Sequence, residues 1–349
     1  MGTQRKNLSE LTGEALTQAL EPLGLPPYRV RQIEKWLRLG APFSEMTDLP
    51  AALRERLAAE YSDGTLKIAG KLTSGVDGTA KYLFDLGDGN LIESVLMNYK
   101  YGYSACVSTQ AGCKMGCSFC ASAKIPFGRD LSAGEIAGQI KAMNRDAGVS
   151  IGHVVMMGVG EPLDNFDNVL GFMREAHRPE GLNISYRKMS LSTCGLVPGI
   201  MRLMEEDLPV TLSVSLHSPF QDERAEMMPV ARRYKLPELL AACRTYSERT
   251  GRRITYEYAM ISGVNDTDAH ADELIRLLSG TLCHINLIPV NSVKGTGYRR
   301  AERERIAGFK ARLERGGLAA TVRRAMGRDI EAACGQLRRQ AMEDNASNG

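Results

Sequence analysis

Apolar residues in the first sixty positions recur at helical spacing and predict helices over 8–23, 28–39 and 51–61, punctuated by Pro26-Pro27 and Pro42. From about Thr65 the period falls to two. Residues 66–72, 81–85 and 91–99 read as short strands, with turns at Asp77-Gly78 and Asp88-Gly89. Beyond about Ser104 short apolar runs alternate with longer helical ones. The pattern predicts strands over 105–108, 154–157, 189–193, 210–216, 254–260, 285–289 and 320–322. Helices are expected between them over 133–145, 166–175, 199–206, 235–249, 266–278 and 301–315. Repeated βα units imply a parallel sheet with helices outside it. Six or so units in about 230 residues suit a partial or full (β/α) barrel better than an open sheet. The expected organisation is a helical module over 1–62, a β ribbon over 63–100, an α/β core over 101–341 and a frayed polar tail over 342–349.

Composition adjusts this picture only slightly. A chain of 349 residues, 43% hydrophobic and 24% charged, can bury a substantial core without disulfides. Its net charge of +3 does not demand a nucleic-acid partner but permits one where basic residues cluster. Candidate clusters are Arg232-Arg233, Arg252-Arg253, Arg299-Arg300, Arg323-Arg324 and Arg338-Arg339, with Lys6, Arg29, Arg31 and Lys35 near the N-terminus. No run is apolar enough to cross a bilayer, the first ten residues hold no signal core, and Lys6 breaks a myristoylation motif. The expectation is a cytoplasmic protein without a membrane partner, where thiols stay reduced. Cysteine usage is uneven: Cys106, Cys113, Cys117 and Cys120 crowd together, while Cys194, Cys243, Cys283 and Cys334 stand alone. Crowding in a reducing compartment points to metal or redox chemistry.

The strongest chemical signal is the run C-K-M-G-C-S-F-C, which carries Cys113, Cys117 and Cys120. Three thiolates at these gaps can converge from one tight loop, with Gly112 and Gly116 easing its bends. On a cubane, three ligands leave one iron open to chelate S-adenosylmethionine and pass it an electron. Phe119 would pack beside the adenine or the cluster. A structural zinc site competes for the same residues, with Cys106 or His153 completing its shell.

A second motif, Gly158-Val159-Gly160-Glu161-Pro162, follows the strand predicted over 154–157. With the cysteine triplet it resembles the radical S-adenosylmethionine superfamily, which carries its cysteines after the first barrel strand and binds the cofactor's amino group at a Gly-Glu-Pro loop. The resemblance becomes specific at 329–337 (DIEAACGQL), 106–113 (CVSTQAGC), 91–97 (LIESVLM) and 286–291 (NLIPVN). These are similar to the superfamily's bacterial adenine carbon-2 RNA methyltransferases, and the match runs from Glu93 to Leu337.

That resemblance implies methylation of carbon 2 of an adenosine in 23S rRNA and in tRNAs, with the helical module as an accessory RNA-binding domain. Carbon 2 lies between two ring nitrogens and is too electron-poor to attack a sulfonium methyl group, so the chemistry is radical. The family's scheme uses one 4Fe–4S cluster on Cys113, Cys117 and Cys120 and two molecules of S-adenosylmethionine per turnover. The first methylates Cys334. The second yields a 5′-deoxyadenosyl radical that takes a hydrogen from that methyl group, and the resulting methylene adds to the base. Glu93 is implied as the base that removes the ring proton, within hydrogen-bond reach of the adenine. Cys106 then attacks the Cys334 sulfur, releasing product and leaving a disulfide for reduction. Cofactor contacts are implied at Gly160, Glu161, Ser192, Ser215, Leu216, His217 and Asn291. An external electron donor such as flavodoxin and a monomeric enzyme complete the expectation.

Blander readings stand beside these. Cys334 and Cys106 read equally as core residues, Glu93 as a solvated strand residue, and His217 as a loop cap. Cys194, Cys243 and Cys283 read as core, with Cys194 near the pocket wall. Val159 and Arg129-Asp130 depart from the usual family pattern at peripheral positions. Competing functions are carbon-8 methylation by the same route, a non-catalytic iron–sulfur RNA-binding protein, and a glycyl-radical activating enzyme.

Overall fold

A computed structural model describes residues 5–290 and 297–330. Asn291, Cys334 and the Arg338-Arg339 pair lie outside the described residues. The N-terminal segment comprises β1 (Lys6–Asn7), α1 (Gly13–Leu20), α2 (Pro27–Arg38), α3 (Ala51–Glu60) and β2 (Tyr61–Ser62). Its ends are tied by the parallel pairing of Lys6 with Tyr61. Leu8, Leu16, Ile33, Leu37, Phe43 and Leu57 form an apolar cluster of its own. The helix expected over 8–23 is divided. Asn7 caps a 3-10 turn at Leu8–Glu10, α1 follows, and a second 3-10 turn holds Pro22, which has no N–H to continue the ladder.

β3 (Lys67–Thr73), β4 (Ala80–Asp85) and β5 (Leu91–Tyr99) form an antiparallel meander, and β6 (Gly102–Cys106) pairs antiparallel with β5. From β6 the sheet turns parallel through β7 (Ile151–Met156), β8 (Met189–Thr193), β9 (Thr211–Ser215), β10 (Ile254–Met260), β11 (Cys283–Pro289) and β12 (Ala320–Val322). The ten strands make one sheet in the order β12 to β3, so the ribbon continues the core sheet directly. This sequential order explains the barrel. Right-handed crossovers that always advance in one direction place every helix on the same face, and the uncovered face curls inward.

The helices are α4 (Ala133–Ala147), α5 (Phe166–His177), α6 (Val197–Glu205), α7 (Gln221–Met227), α8 (Val230–Arg233), α9 (Leu236–Thr250), α10 (Asp268–Leu278) and α11 (Arg303–Arg315). The pattern predicts neither α7 nor α8, because seven and four residues are too short to show a helical period. Outward strand residues such as Tyr82, Ile92, Val154, Leu191, Val214, Tyr258 and Leu287 pack under the helices. Alternation therefore turns Lys81, Glu93, Val155, Ser192, Ser213, Glu257 and Asn286 to the concave face. There Asn286 Nδ2 donates to Glu257 Oε2 at 2.8 Å. Among the described residues no helix is long and apolar enough to cross a membrane.

Helix α4 joins the two parts. Its sheet side carries Ile136, Ile140 and Met143, while Lys141 Nζ donates to Leu37 O at 3.1 Å and Arg145 pairs with Glu45 at 2.7 Å. Ser132 caps the helix by accepting from Glu135 N at 3.2 Å, and the Glu135 carboxylate accepts from Ser132 N at 2.9 Å. Gly148 ends it at a φ of 63°. Ser132→Ala is expected to lower unfolding stability in urea by about 1 kcal/mol and Ser132→Gly by a few tenths. No loss in Ser132→Ala would show that the hydroxyl is not what caps α4.

Candidate active site

Two loops at the C-terminal ends of β6 and β7 are hydrogen-bonded to each other along their backbones. Gly158 N donates to Val107 O at 3.0 Å, and Val159 O accepts from Thr109 N and Gln110 N at 2.9 and 3.1 Å. Ser108 Oγ accepts from Val159 N at 3.0 Å. The predicted strand over 105–108 ends early, at Cys106: Val107 N still donates to Val155 O at 3.0 Å, but its carbonyl and the Ser108 side chain turn to the seam. No side chain fits within it. A Cβ on Gly158 would lie 2.6 Å from Val107 O, and one on Gly160 would lie 2.7 Å from Gln110 N. Gly160 also holds a φ of 111°.

Glu161 N donates to the buried Gln110 Oε1 at 2.8 Å, while Gln110 Nε2 donates to Asp130 and Asp164 at 2.7 and 2.9 Å. Asp130, one of the departures from the family pattern, thus helps to hold the Gln110 that supports this loop. The Glu161 carboxylate is buried and accepts from Cys194 N at 2.7 Å and Leu163 N at 3.0 Å. Burial raises its pKa against those bonds. One oxygen goes to each N–H, and the Cys194 and Thr193 side chains also donate to this carboxylate, so Glu161 braces the ends of β7 and β8.

The cysteine loop leaves this seam. Gly112 turns it at a φ of 99°, and a Cβ there would lie 2.4 Å from Pro126 O. Gly116 bends it again at a φ of 68°. Ser118 N anchors it to Met227 O at 2.9 Å, and its hydroxyl meets the Tyr298 hydroxyl at 2.8 Å. Met115, Cys117 and Phe119 pack against Cys194, Met227, Met228, Ala259 and Val290. Burial pushes the Cys113 thiol up to about 11 against a backbone hydrogen bond from Met115, and Cys120, Glu161 and Asp164 add to the rise. Burial pushes Cys117 higher, with Cys120 and Cys113 contributing. Three neighbouring thiols in such a place ionise together only when a metal centre takes their protons' place.

Beside them lies a buried cation. Arg224, on α7, is fully buried and donates to Cys194 O at 2.7 Å, Ser215 O at 3.1 Å and Leu216 O at 3.2 Å. Its Nη1 has no hydrogen-bond partner among the described residues. Burial lowers its pKa, and the nearby Cys194 and Cys117 oppose that fall. A buried guanidinium with neutral partners and a spare donor fits a thiolate-ligated cluster of net negative charge. The donor set therefore suits an iron–sulfur centre. Single-metal alternatives fit less well. Cys106 packs in a different cluster, with Val95, Met97, Val155 and Met157, and His153 stacks edge-on against Tyr101 with ring centroids 4.7 Å apart.

His217 lies at a φ of 60°, with its ring 4.6 Å from Phe119, centroid to centroid. Phe119 thus packs on His217. The imidazole Nδ1 accepts from Ala259 N at 3.0 Å, which fixes the proton on Nε2 and turns that donor to the site. Ser192 and Ser215 face the concave side on β8 and β9. The Leu216 side chain is buried in the main core, and its backbone N and O are taken by Glu257 O and Arg224.

On β5, next to the seam, Glu93 is buried rather than solvated and pairs with the buried Lys81 at 3.2 Å. Cys106 lies opposite Val95, two residues along the same face of β5. Burial raises its thiol pKa, opposed by Arg323, a Met157 backbone hydrogen bond and Lys81, while Glu93 adds to the rise. The structure thus brings Glu93 and Cys106 together on β5 and β6, and Ser108, which donates to Glu93 O at 2.6 Å, links them to the loop of Gly160 and Glu161. Arg224, Lys81 and Gln110 escape the sequence reading. Arg224 sits in a helix too short to predict, and only the alternation of β4 marks Lys81 as inward.

The histidine yields a test. Burial, with Arg224 adding, lowers its pKa from 6.5 to about 3. Between these values the unfolded chain binds the proton and the native chain does not, so this group's stability contribution rises with pH through that window and is complete above it. His217→Asn keeps an acceptor for Ala259 N and tolerates the left-handed φ. Urea unfolding between pH 4 and 6 is expected to lose about 1 kcal/mol per unit of slope in the variant. An unchanged slope would contradict the buried neutral imidazole.

Residues 107–277 match the Radical SAM superfamily, and residues 6–62 match the ribosomal RNA large subunit methyltransferase N-terminal domain. The chain is 51% identical over 339 residues to the probable dual-specificity RNA methyltransferase RlmN of Pelotomaculum thermopropionicum, covering 96% of this chain and 92% of that one. It is 50% identical over 345 residues to the protein of that description from Symbiobacterium thermophilum, covering 97% and 92%. The crystal structure of a radical SAM methyltransferase from Sphaerobacter thermophilus superposes with a TM-score of 0.90 at 44% identity, covering 95% of this chain and 98% of that one.

Proposed function

The chain belongs to the RlmN family of radical S-adenosylmethionine RNA methyltransferases, and on that premise we propose that it methylates carbon 2 of an adenosine in 23S rRNA and in tRNAs. The observation that carries this reading is one continuous rim: Ser108 Oγ donates to Glu93 O at 2.6 Å and accepts from Val159 N at 3.0 Å, so both halves of the chemistry meet at the ends of β5, β6 and β7. Along it a cysteine triplet is seated on the Gly158–Glu161 loop, and a buried base candidate lies beside a buried thiol.

Cys113, Cys117 and Cys120 would hold a 4Fe–4S cluster, and Gly160, Glu161, Ser192, Ser215, Leu216, His217 and Asn291 would bind S-adenosylmethionine. Bound there, the cluster and two molecules of cofactor per turnover supply the methyl group and the radical that activates it. The residues of the chain do the rest. The Glu161 carboxyl group fixes the loop that would meet the cofactor's amino group. His217 Nε2–H offers a fixed donor, and Phe119 excludes water above it. Cys334 carries the methyl group. Glu93, positioned by its 3.2 Å pair with Lys81, takes the proton from carbon 2 of the adenine. Cys106 attacks the Cys334 sulfur, forming the S–S bond as the carbon–sulfur bond to the product breaks.

Charge supports an RNA substrate. Arg232-Arg233, Arg299-Arg300 and Arg323-Arg324 all follow the C-terminal ends of strands, on the side of the cysteine loop. None of the six ion-pairs with a described carboxylate, whereas Arg249, Arg276 and Arg312 all do. Free guanidiniums round the mouth suit phosphates, and the target adenine must leave its stack to reach a lumen. The reading carries with it a cytoplasmic monomer and an external donor such as flavodoxin.

The test is mass spectrometry of nucleosides from unmethylated ribosomal RNA and tRNA after anaerobic incubation with cluster-loaded enzyme, S-adenosylmethionine and reductant. The unsubstituted chain is expected to give 2-methyladenosine and Cys334→Ala none. Finding 8-methyladenosine would refute the regiochemistry. In parallel, Glu93→Gln is expected to form product at least about a hundredfold more slowly while Cys334 still becomes methylated. An undiminished rate would remove Glu93 as the base.

A further inference from the structure

β12 lies at one end of the sheet and the β3–β4 hairpin at the other. The chain that leaves β12 crosses between them. Arg323 N is still in register, donating to Leu287 O at 2.8 Å. Met326 then packs against the cluster of Cys106, Val95 and Met97. Immediately beyond, the chain is fastened to the hairpin from both sides. Gly327 N donates to Asp77 Oδ2 at 2.9 Å. Asp329 accepts from Ser74 Oγ at 2.6 Å through one carboxylate oxygen and from Gly75 N at 3.0 Å through the other.

The hairpin is shaped to receive it. Ser74 Oγ accepts from Val76 N and Asp77 N, both at 3.2 Å, so its single hydroxyl proton is free to point at Asp329. Asp77 Oδ1 accepts from Thr79 N at 3.0 Å, leaving Oδ2 for Gly327. One hairpin side chain thus accepts from the crossing segment, and one side chain of that segment accepts from the hairpin.

We propose that Ser74, Asp77 and Asp329 form a clasp that fastens residues 327–329 to the hairpin and so shortens the tether from which Cys334 reaches Cys106. These are positioning residues, and the proposal rests on the reading of Cys334 as the methyl carrier. Cys334 follows Asp329 by five residues and the end of β12, Val322, by twelve. Five residues reach at most about 17 Å and twelve about 40 Å, so the clasp removes more than half of the tether. Effective concentration falls roughly as the −3/2 power of tether length, which makes opening the clasp worth about fourfold in encounters between the two thiols.

The test equilibrates anaerobic, cluster-loaded enzyme in mixtures of reduced and oxidised glutathione. A Cys334 thiolate attacks oxidised glutathione and releases one reduced glutathione; Cys106 then displaces the second. Two protein thiols are oxidised, and one glutathione disulfide is reduced to two thiols. Peptide mass spectrometry gives the ratio of the Cys106–Cys334 disulfide to the mixed disulfides with glutathione. The double variant Asp77→Ala/Asp329→Ala, which opens both fastenings, is expected to lower that ratio about fourfold, and Asp329→Ala, which leaves Gly327 held, by under about twofold. Asp77→Ala alone should leave it near the unsubstituted value, since Asp329 still anchors the segment. Thermal melts of each variant confirm that the fold is retained. An unchanged ratio in the double variant overturns the clasp and leaves the carrier reading intact. Absence of the Cys106–Cys334 disulfide in the unsubstituted chain overturns both.

Discussion

Everything at the site depends on the backbone seam between residues 107–110 and 158–161. It requires glycine at 158 and 160, because the partner backbone lies where a Cβ would be. The seam fixes the point from which the cysteine loop departs and the height of Glu161, whose carboxylate then ties β8 into the same rim. Three strand ends are thereby set relative to one another by hydrogen bonds rather than by apolar packing alone. Such a rim holds its geometry when ligands enter and leave, which is what repeated use of a bound cofactor demands.

Charge is distributed to match. On the cysteine side a buried guanidinium and a neutral, tautomer-fixed imidazole surround thiols that burial keeps protonated until a metal centre takes them up. Along β4 and β5 the buried Lys81 and Glu93 side chains pair at 3.2 Å. Removing either one would leave the other buried without its counter-charge. One rim thus carries an environment suited to an anionic cluster beside one suited to proton transfer.

Much of this was legible in the chain. The βα alternation identifies the parallel sheet because each outward strand residue packs under a helix. The cysteine spacing identifies the loop because few residue types tolerate its bends. Element ends were less legible. The strand expected to reach Ser108 stops at Cys106, since the Val107 carbonyl and the Ser108 side chain turn to the seam, and the helix over 8–23 breaks where Gly13 and Pro22 interrupt it. Arg224 and Lys81 stayed hidden because their meaning is tertiary: one is defined by three carbonyls from two strand ends, the other by a diagonal neighbour on the next strand. The hairpin contacts of Asp329 span more than 250 residues, which no local pattern encodes.

The central claim is that Cys113, Cys117 and Cys120 hold a cluster with one iron left open to the cofactor. Electron paramagnetic resonance of the reduced, reconstituted enzyme, with metal analysis alongside, tests it most directly. The account predicts about four irons per chain and a signal that changes when S-adenosylmethionine is added. One tightly held zinc per chain, or a cluster signal indifferent to the cofactor, would contradict it.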